Sequence, residues 1–223
     1  MTDAPGQLRG PDRHSRVGLP VGIGIGASAG GPRALLTLLA ELELPRSALV
    51  FLVQHIHPRF TSVLSRRLNE AAVLPVVEAE DGGTALPGRL YMAPGGRHLV
   101  VERSWPCTYR TRLTDQPPRH GVRPSVDELF LSLAAVFGPR AIGVVLTGMG
   151  RDGVEGARAI KAKGGTILAE AESTCIVYGM PRALAEAGLV NRMAPIGEMA
   201  DIIRETAMEV AGLHSPAAPP GQG

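Results

Sequence analysis

Three segments carry residues whose types and spacing suit chemistry. The first is GIGIGASAGGP, residues 22–32, in which Gly26-Ala27-Ser28-Ala29-Gly30 fits the G-x-S-x-G pattern. A serine on a sharp strand-to-helix turn stands clear of its sheet, and small neighbours let a substrate approach it. The helix that follows would present free N–H groups and a positive dipole end to a developing oxyanion. The same residues also fit a dinucleotide fingerprint, Gly22-x-Gly24-x-x-Ala27. That motif calls for an acidic residue about 20 positions later, at the end of the second strand. Gln54 and His55 stand there instead, so the cofactor reading lacks its second anchor. A purely structural βα turn is the third reading of this segment.

The second segment is ALVFLVQHIHP, residues 48–58. His55 emerges as a strongly apolar run ends, at the edge where parallel sheets bind ligands. A hydrogen-bonded structural histidine is the bland alternative. A metal-binding His55-x-His57 pair is another, although no further ligand cluster with metal spacing follows. The third segment is AIGVVLTGMGRDGVEG, residues 141–156, where a Gly-rich loop carries Asp152 into a helix. No Gly-Lys-Ser/Thr follows, which excludes a Walker phosphate loop. For Asp152 alone, a turn or helix N-cap would suffice as explanation.

Taken together, serine, histidine and aspartate each fall at the C-terminal end of a predicted strand, where separate βα units converge. Such a triad divides the work: Ser28 attacks, His55 takes and returns the proton, and Asp152 orients the imidazole and stabilises its charged form. Loop N–H groups near Met149, or at the start of the helix after Ser28, would line an oxyanion hole. The chain order Ser–His–Asp differs from the Ser–Asp–His of α/β-hydrolases and disfavours that fold.

The elements that must hold these groups are legible in the apolar periodicity. Strands are expected at Val21–Ile25, Ala48–Val53, Leu90–Ala93, Ala141–Leu146 and Thr166–Ala169, and helices at 32–42, 61–72, 125–137, 153–163, 181–187 and 197–211. Their alternation points to an α/β fold with a doubly wound, mostly parallel sheet. Residues 75–112 break into short extended pieces joined by Gly-rich turns, consistent with an antiparallel insertion or a sheet edge. Residues 1–18 and 214–223, rich in Pro, Gly and small polar residues, are expected to be disordered, leaving one domain over 19–213.

The bulk numbers set bounds. Across 223 residues, 44% are hydrophobic and 4% aromatic, with 28 glycines, enough for a single core of mainly Val, Leu, Ile and Ala. A balance of 23 basic against 21 acidic residues gives no electrostatic case for a nucleic-acid partner. Cys107 and Cys175 form no disulfide framework or CxxC motif. No secretory signal is visible, and no apolar run approaches the roughly 20 residues of a membrane span. A cytoplasmic protein without membrane insertion, metal or cofactor is the expectation.

The motifs GASAGG, QHIHP, AEDG, YMAPGGRH, RPSVD, LTGMGRDG and ESTCIVYGMPR occur here in that order. In this they resemble the catalytic domain of the chemotaxis protein-glutamate methylesterases, the CheB family, over about Val21 to Val210. The resemblance implies hydrolysis of glutamate γ-methyl esters on the cytoplasmic helices of chemoreceptors, with release of methanol, and in many members deamidation of receptor glutamines. It places the nucleophile on Ser28, the base on His55, the carboxylate on Asp152 and an oxyanion N–H on Met149. It also implies a doubly wound sheet with helices on both faces and a small antiparallel hairpin.

Two departures follow from the same comparison. Members of the chemotaxis branch of this phosphorelay begin with a phospho-accepting receiver domain, whereas only residues 1–20 precede the first strand here. Regulation is therefore expected from a separate receiver protein acting in trans, if at all. Ala29 stands where the family often has threonine; losing that hydroxyl removes a contact worth about 1–3 kcal/mol. An acidic helical substrate would favour arginines near the site, with Arg33, Arg59 and Arg151 the candidates. The alternative function is a catalytically weak adaptor of the same fold that binds receptor or kinase.

Overall fold

The structure, a computed structural model, describes residues 19–104 and 108–213. The termini expected to be disordered lie outside the described residues, as does Cys107. Seven parallel strands form the main sheet: β1 (Val21–Ala27), β2 (Ala48–Gln54), β3 (Val76–Glu78), β5 (Leu90–Met92), β8 (Ala141–Val145), β9 (Thr166–Glu170) and β10 (Arg192–Ala194). Their order across the sheet is β10-β9-β8-β1-β2-β5-β3. The chain thus starts in the middle, winds outward through β2, and returns to the other side of β1 through β8. Ligands of open α/β sheets bind where the order reverses in this way.

Helices cover both faces, as expected. α1 (Gly31–Leu39), α2 (Thr61–Ala71) and α6 (Ile196–Val210) pack on one side through Leu35, Leu38, Leu68, Met199 and Ile203. α3 (Val126–Phe137), α4 (Val154–Ala162) and α5 (Met180–Glu186) cover the other through Leu129, Phe130, Ile160 and Leu184. Five of the expected helices match these spans to within one residue at each end, and α1 ends three residues before the expected 42.

The 75–112 segment resolves into both of its expected forms. β3 and β5 extend the main sheet as its parallel edge. β6 (His98–Ser104) and β7 (Thr108–Thr114) form an antiparallel hairpin, and β4 (Thr84–Ala85) adds a third strand to it. The small antiparallel element is therefore a three-stranded sheet rather than a hairpin alone.

Alternate residues of β1 face opposite layers. Val21, Ile23 and Ile25 enter the core beneath α1 and α6. Gly22, Gly24 and Gly26 face α3, and each has a side chain seated where a Cβ would stand. Phe137 Cδ2 lies 2.3 Å from that point at Gly22, Leu133 Cδ1 2.5 Å at Gly24, and Val126 Cγ1 2.5 Å at Gly26. The alternating glycines are a seat for a helix, which is the physical reason they mimic a dinucleotide fingerprint.

This seat makes a prediction. Gly24→Val should cost about 1–3 kcal/mol by overpacking, lowering the urea midpoint, because Leu133 and Phe130 cannot both retreat. Gly197→Ala, in open space on α6, should leave the midpoint unchanged or raised. Equal effects of the two would count against the seat.

Candidate active site

The site assembles where β2, β1 and β8 end side by side. In the parallel ladders Ala27 aligns with Gln54 and Gly26 with Val145. One residue further on, Ser28 therefore stands beside His55 on one flank and beside the Thr147 loop on the other. The ladder bonds run past the strand ends: His55 N donates to Ala27 O (3.0 Å), and Ser28 N donates to Thr147 O (3.0 Å).

Gln54, the last residue of β2, braces this junction. Its buried Nε2 donates to the carbonyls of Ser28 (2.8 Å) and His55 (3.1 Å), joining the two turns. Its Oε1 is buried without a hydrogen-bond partner and lies 2.0 Å from where a Cβ at Gly31 would stand. Only glycine fits there. A single polar residue closing the apolar run ALVFLV is the sequence signal that could have marked Gln54.

His55 Nε2 donates to Asp152 Oδ2 at 2.7 Å. Nδ1 is then the ring nitrogen left for proton transfer. The histidine is nearly buried, at 11% side-chain exposure, and the aspartate more so, at 3%. Asp152 takes three further hydrogen bonds: from Val126 N (2.7 Å) on the same oxygen, and from Ser125 Oγ (2.7 Å) and Asp127 N (3.0 Å) on Oδ1. Two of these donors are first-turn N–H groups of α3, so the carboxylate also caps that helix. Burial alone pushes the Asp152 carboxyl up, but the bonds from His55, Val126, Ser125 and Asp127 outweigh it. They hold the group below the usual carboxylate range.

Asp127 answers from the other side. This buried residue of α3 accepts from Gly156 N (2.7 Å) in the first turn of α4, the helix that Asp152 precedes. Each helix thus supplies the carboxylate for the other's N-terminus. Burial pushes Asp127 above its ordinary value, with the Asp152 charge adding to it and the N–H groups of Gly156 and Gly153 pulling back. Ser125 is placed in turn by His98, whose Nδ1 accepts from Ser125 N (3.1 Å) while Nε2 donates to Pro117 O (3.2 Å).

Ser28 lies under the loop after β8. A Cβ on Gly148 would stand 2.8 Å from Ser28 Cβ, so glycine is required for the loop to approach. The next residue is Met149, whose side chain is 76% exposed. The loop is pinned by Glu170, a fully buried carboxylate that accepts from Thr147 N (2.8 Å) and Thr174 Oγ1 (3.0 Å). Thr147 Oγ1 donates to Ala29 O (3.0 Å) and accepts from Val177 N (2.9 Å), which ties the segment after β9 to the same place. The hydroxyl of Ser28 itself makes no hydrogen bond among the described residues. His55 and Asp152 are in contact, whereas Ser28 is brought beside them by strand register and by main-chain bonds to Gln54 and Thr147.

The remaining chemistry-bearing residues lie elsewhere or are engaged. His57 caps a short 3-10 turn by accepting from Arg59 N (3.3 Å) and packs edge-on against Phe60. Burial, with Glu170 nearby, pushes the Cys175 thiol up to about 12, which leaves little thiolate at neutral pH. Among the described residues one group has metal-compatible spacing, His120, Asp127 and Glu155. Arg119 already binds Glu128 and Glu155 and reaches Asp127.

A family model for CheB methylesterase matches residues 23–203. The chain belongs to the CheB methylesterase family. Protein-glutamate methylesterase/protein-glutamine glutaminase 5 of Myxococcus xanthus is 49% identical over 180 residues, covering 81% of this chain and 51% of that protein. The protein-glutamate methylesterase/protein-glutamine glutaminase of Clostridium acetobutylicum is 44% identical over 179 residues, with 80% and 51% covered. The chain spans about half the length of the curated relatives it matches. The crystal structure of the Thermotoga maritima CheB methylesterase catalytic domain aligns with a TM-score of 0.79 at 37% identity, over 83% of this chain and 98% of that one. The CheB fold expected from the sequence is the fold observed.

The depressed Asp152 fixes the sign of a pH effect in this CheB-family domain. Its folded value lies below the unfolded aspartate value of about 3.9. The stability it contributes is therefore complete above that pH and is lost as pH falls through the folded value. Urea melts of the native and Asp152→Asn proteins should show a gap at pH 7 that narrows below pH of about 4. A gap that stays constant with pH would contradict the assignment.

Proposed function

We propose that the chain is the catalytic domain of a protein-glutamate methylesterase with the triad Ser28, His55 and Asp152. The observation that carries this is the 2.7 Å His55–Asp152 bond, held one strand away from an unengaged serine hydroxyl at the sheet's switch point. Ser28 Oγ attacks the ester carbonyl of a glutamyl side chain as its proton passes to His55 Nδ1. Asp152, held ionised by its four donors, stabilises the imidazolium through Nε2. The N–H of Met149 stabilises the oxyanion. The imidazolium then protonates the methoxy oxygen, methanol leaves, and water hydrolyses the acyl-enzyme with His55 again as base.

The same acyl-enzyme forms from a glutamine side chain with ammonia as leaving group, in keeping with the second activity in the relatives' names. The substrate is a methylated receptor's cytoplasmic helix, and the working compartment is the cytoplasm. Control comes from a receiver domain, in trans if this chain works alone. A nucleotide-binding role is disfavoured because Gly22 and Gly24 are filled by Phe137 and Leu133.

Ser28→Ala should reduce methanol release from methylated receptor fragments by on the order of 10⁴-fold or more, with the thermal midpoint little changed. A fluorophosphonate should label the native protein at Ser28 and leave the variant unlabelled. Receptor binding without labelling or turnover would instead favour the adaptor reading.

A further inference from the structure

Ser125 occupies the N-cap position of α3, and a serine there ordinarily turns its oxygen to the first N–H groups of its own helix. This one does not: its hydroxyl makes no capping bond to α3. Ser125 Oγ donates instead to Asp152 Oδ1 at 2.7 Å, and Asp152 receives the N–H groups of Val126 and Asp127 in the serine's stead. Holding the helix end is therefore the work of Asp152, and the hydroxyl of Ser125 is left with Asp152 alone.

The four donors divide between the two carboxylate oxygens. Oδ2 takes His55 Nε2 and Val126 N, while Oδ1 takes Ser125 Oγ and Asp127 N. The two amides belong to consecutive residues, and with them alone the carboxylate retains rocking about its Cβ–Cγ bond, a torsion with a broad minimum. Ser125 Oγ is the side-chain donor on the oxygen that His55 does not use, and it closes off that motion. Ser125 is itself fully buried and held from behind. Its N–H donates to Nδ1 of the fully buried His98, whose Nε2 donates to Pro117 O, so both ring nitrogens are engaged. His98 opens β6, outside the main sheet, and the small antiparallel sheet thus reaches Asp152 through one serine.

We infer that Ser125 is a positioning residue of the triad, its hydroxyl fixing the Asp152 carboxylate in the plane that His55 Nε2 requires. The inference rests on the esterase reading for the reaction being served. A fully buried serine does not meet the substrate, so its loss acts on turnover and leaves substrate binding alone. A donor to a carboxylate favours the charged form. Without it Asp152 takes up a proton more readily and pairs more strongly with a charged imidazole, and both effects move the acid limb of the rate profile to higher pH. The other charged or titratable groups around Asp152 are His55 and Asp127, with Arg119, His120 and Glu155 beyond Asp127 and His98 behind Ser125. All are common to parent and variant, so the difference between the two profiles reads the serine.

The test compares the full chain with Ser125→Ala and with Ser125→Cys, which keeps the size of the side chain and offers only a weak donor. For methanol release from methylated receptor fragments, kcat should fall roughly ten- to a hundredfold in Ser125→Ala and less in Ser125→Cys, with KM unchanged in both. The acid limb of each profile should move to higher pH. A second readout needs no turnover: the downfield Nε2–H proton of His55, assigned by its loss in His55→Gln, should change chemical shift in Ser125→Ala. If Ser125→Ala fails to fold, Ser125→Cys carries both readouts. A folded variant with the parent's kcat and acid limb would overturn the inference, as would an unmoved His55 proton. So would a loss confined to the thermal midpoint, which a helix cap alone would produce. A parent that neither releases methanol nor reacts with a fluorophosphonate would overturn the esterase reading instead, and the His55 proton would still decide the role of Ser125.

Discussion

Two helices that begin side by side exchange carboxylates, and the site depends on that exchange. Asp152, just ahead of α4, takes the first N–H groups of α3, while Asp127, in the first turn of α3, takes an N–H of α4. Two buried acids so close together would repel in a medium of low dielectric. Helix termini offer a solution, because their free donors and dipoles favour negative charge, and Arg119 reaches Asp127 in addition. The arrangement leaves one lone-pair direction of Asp152 for His55 and fixes it there. A carboxylate that must orient an imidazole to within tenths of an ångström is thus set by backbone on both sides.

The Ser28 side is organised differently but from the same materials. Ser28 is placed by ladder bonds that continue past the strand ends, by Gln54 across to β2, and by Thr147 across to β8. Glu170 holds Thr147, and Thr147 holds the strands of chain on either side of it. Most of these contacts run between a side chain and main chain. Such sites tolerate variation in the exposed residues around them, Ala29 included, because the main-chain path carries the geometry.

Much of this was legible before any coordinates. Apolar runs that end in Ser28, His55 and Gly148–Asp152 marked three strand ends, and a parallel sheet brings strand ends together. What stayed hidden has physical causes. β3 and β10 are three residues long, too short to show periodicity, and belong to the sheet only through their neighbours. Ser125, Asp127 and Glu170 act through hydrogen bonds between groups far apart in sequence, and nothing local distinguishes them from ordinary polar residues. The convergence of Ser28, His55 and Asp152 at neighbouring strand ends was readable, whereas the choice of Nε2 for Asp152 depends on how α3 approaches the sheet. The alternating glycines show the opposite difficulty: one spacing satisfies two unrelated demands, a phosphate cradle and a helix seat, and only packing separates them.

That seat has a consequence for the distance between layers. With glycines at alternate positions along one face of β1, Phe137, Leu133 and Val126 of α3 rest on bare backbone where side chains would otherwise stand. Its first residue, Val126, sits over Gly26, two positions before Ser28, and it is the amide of that same valine that holds Asp152. The missing carbons act as a calliper: they set the gap across which the carboxylate and the serine face one another. A methyl group added to the floor would arrive at Ser28 and Asp152 as a displacement, though it touched neither of them.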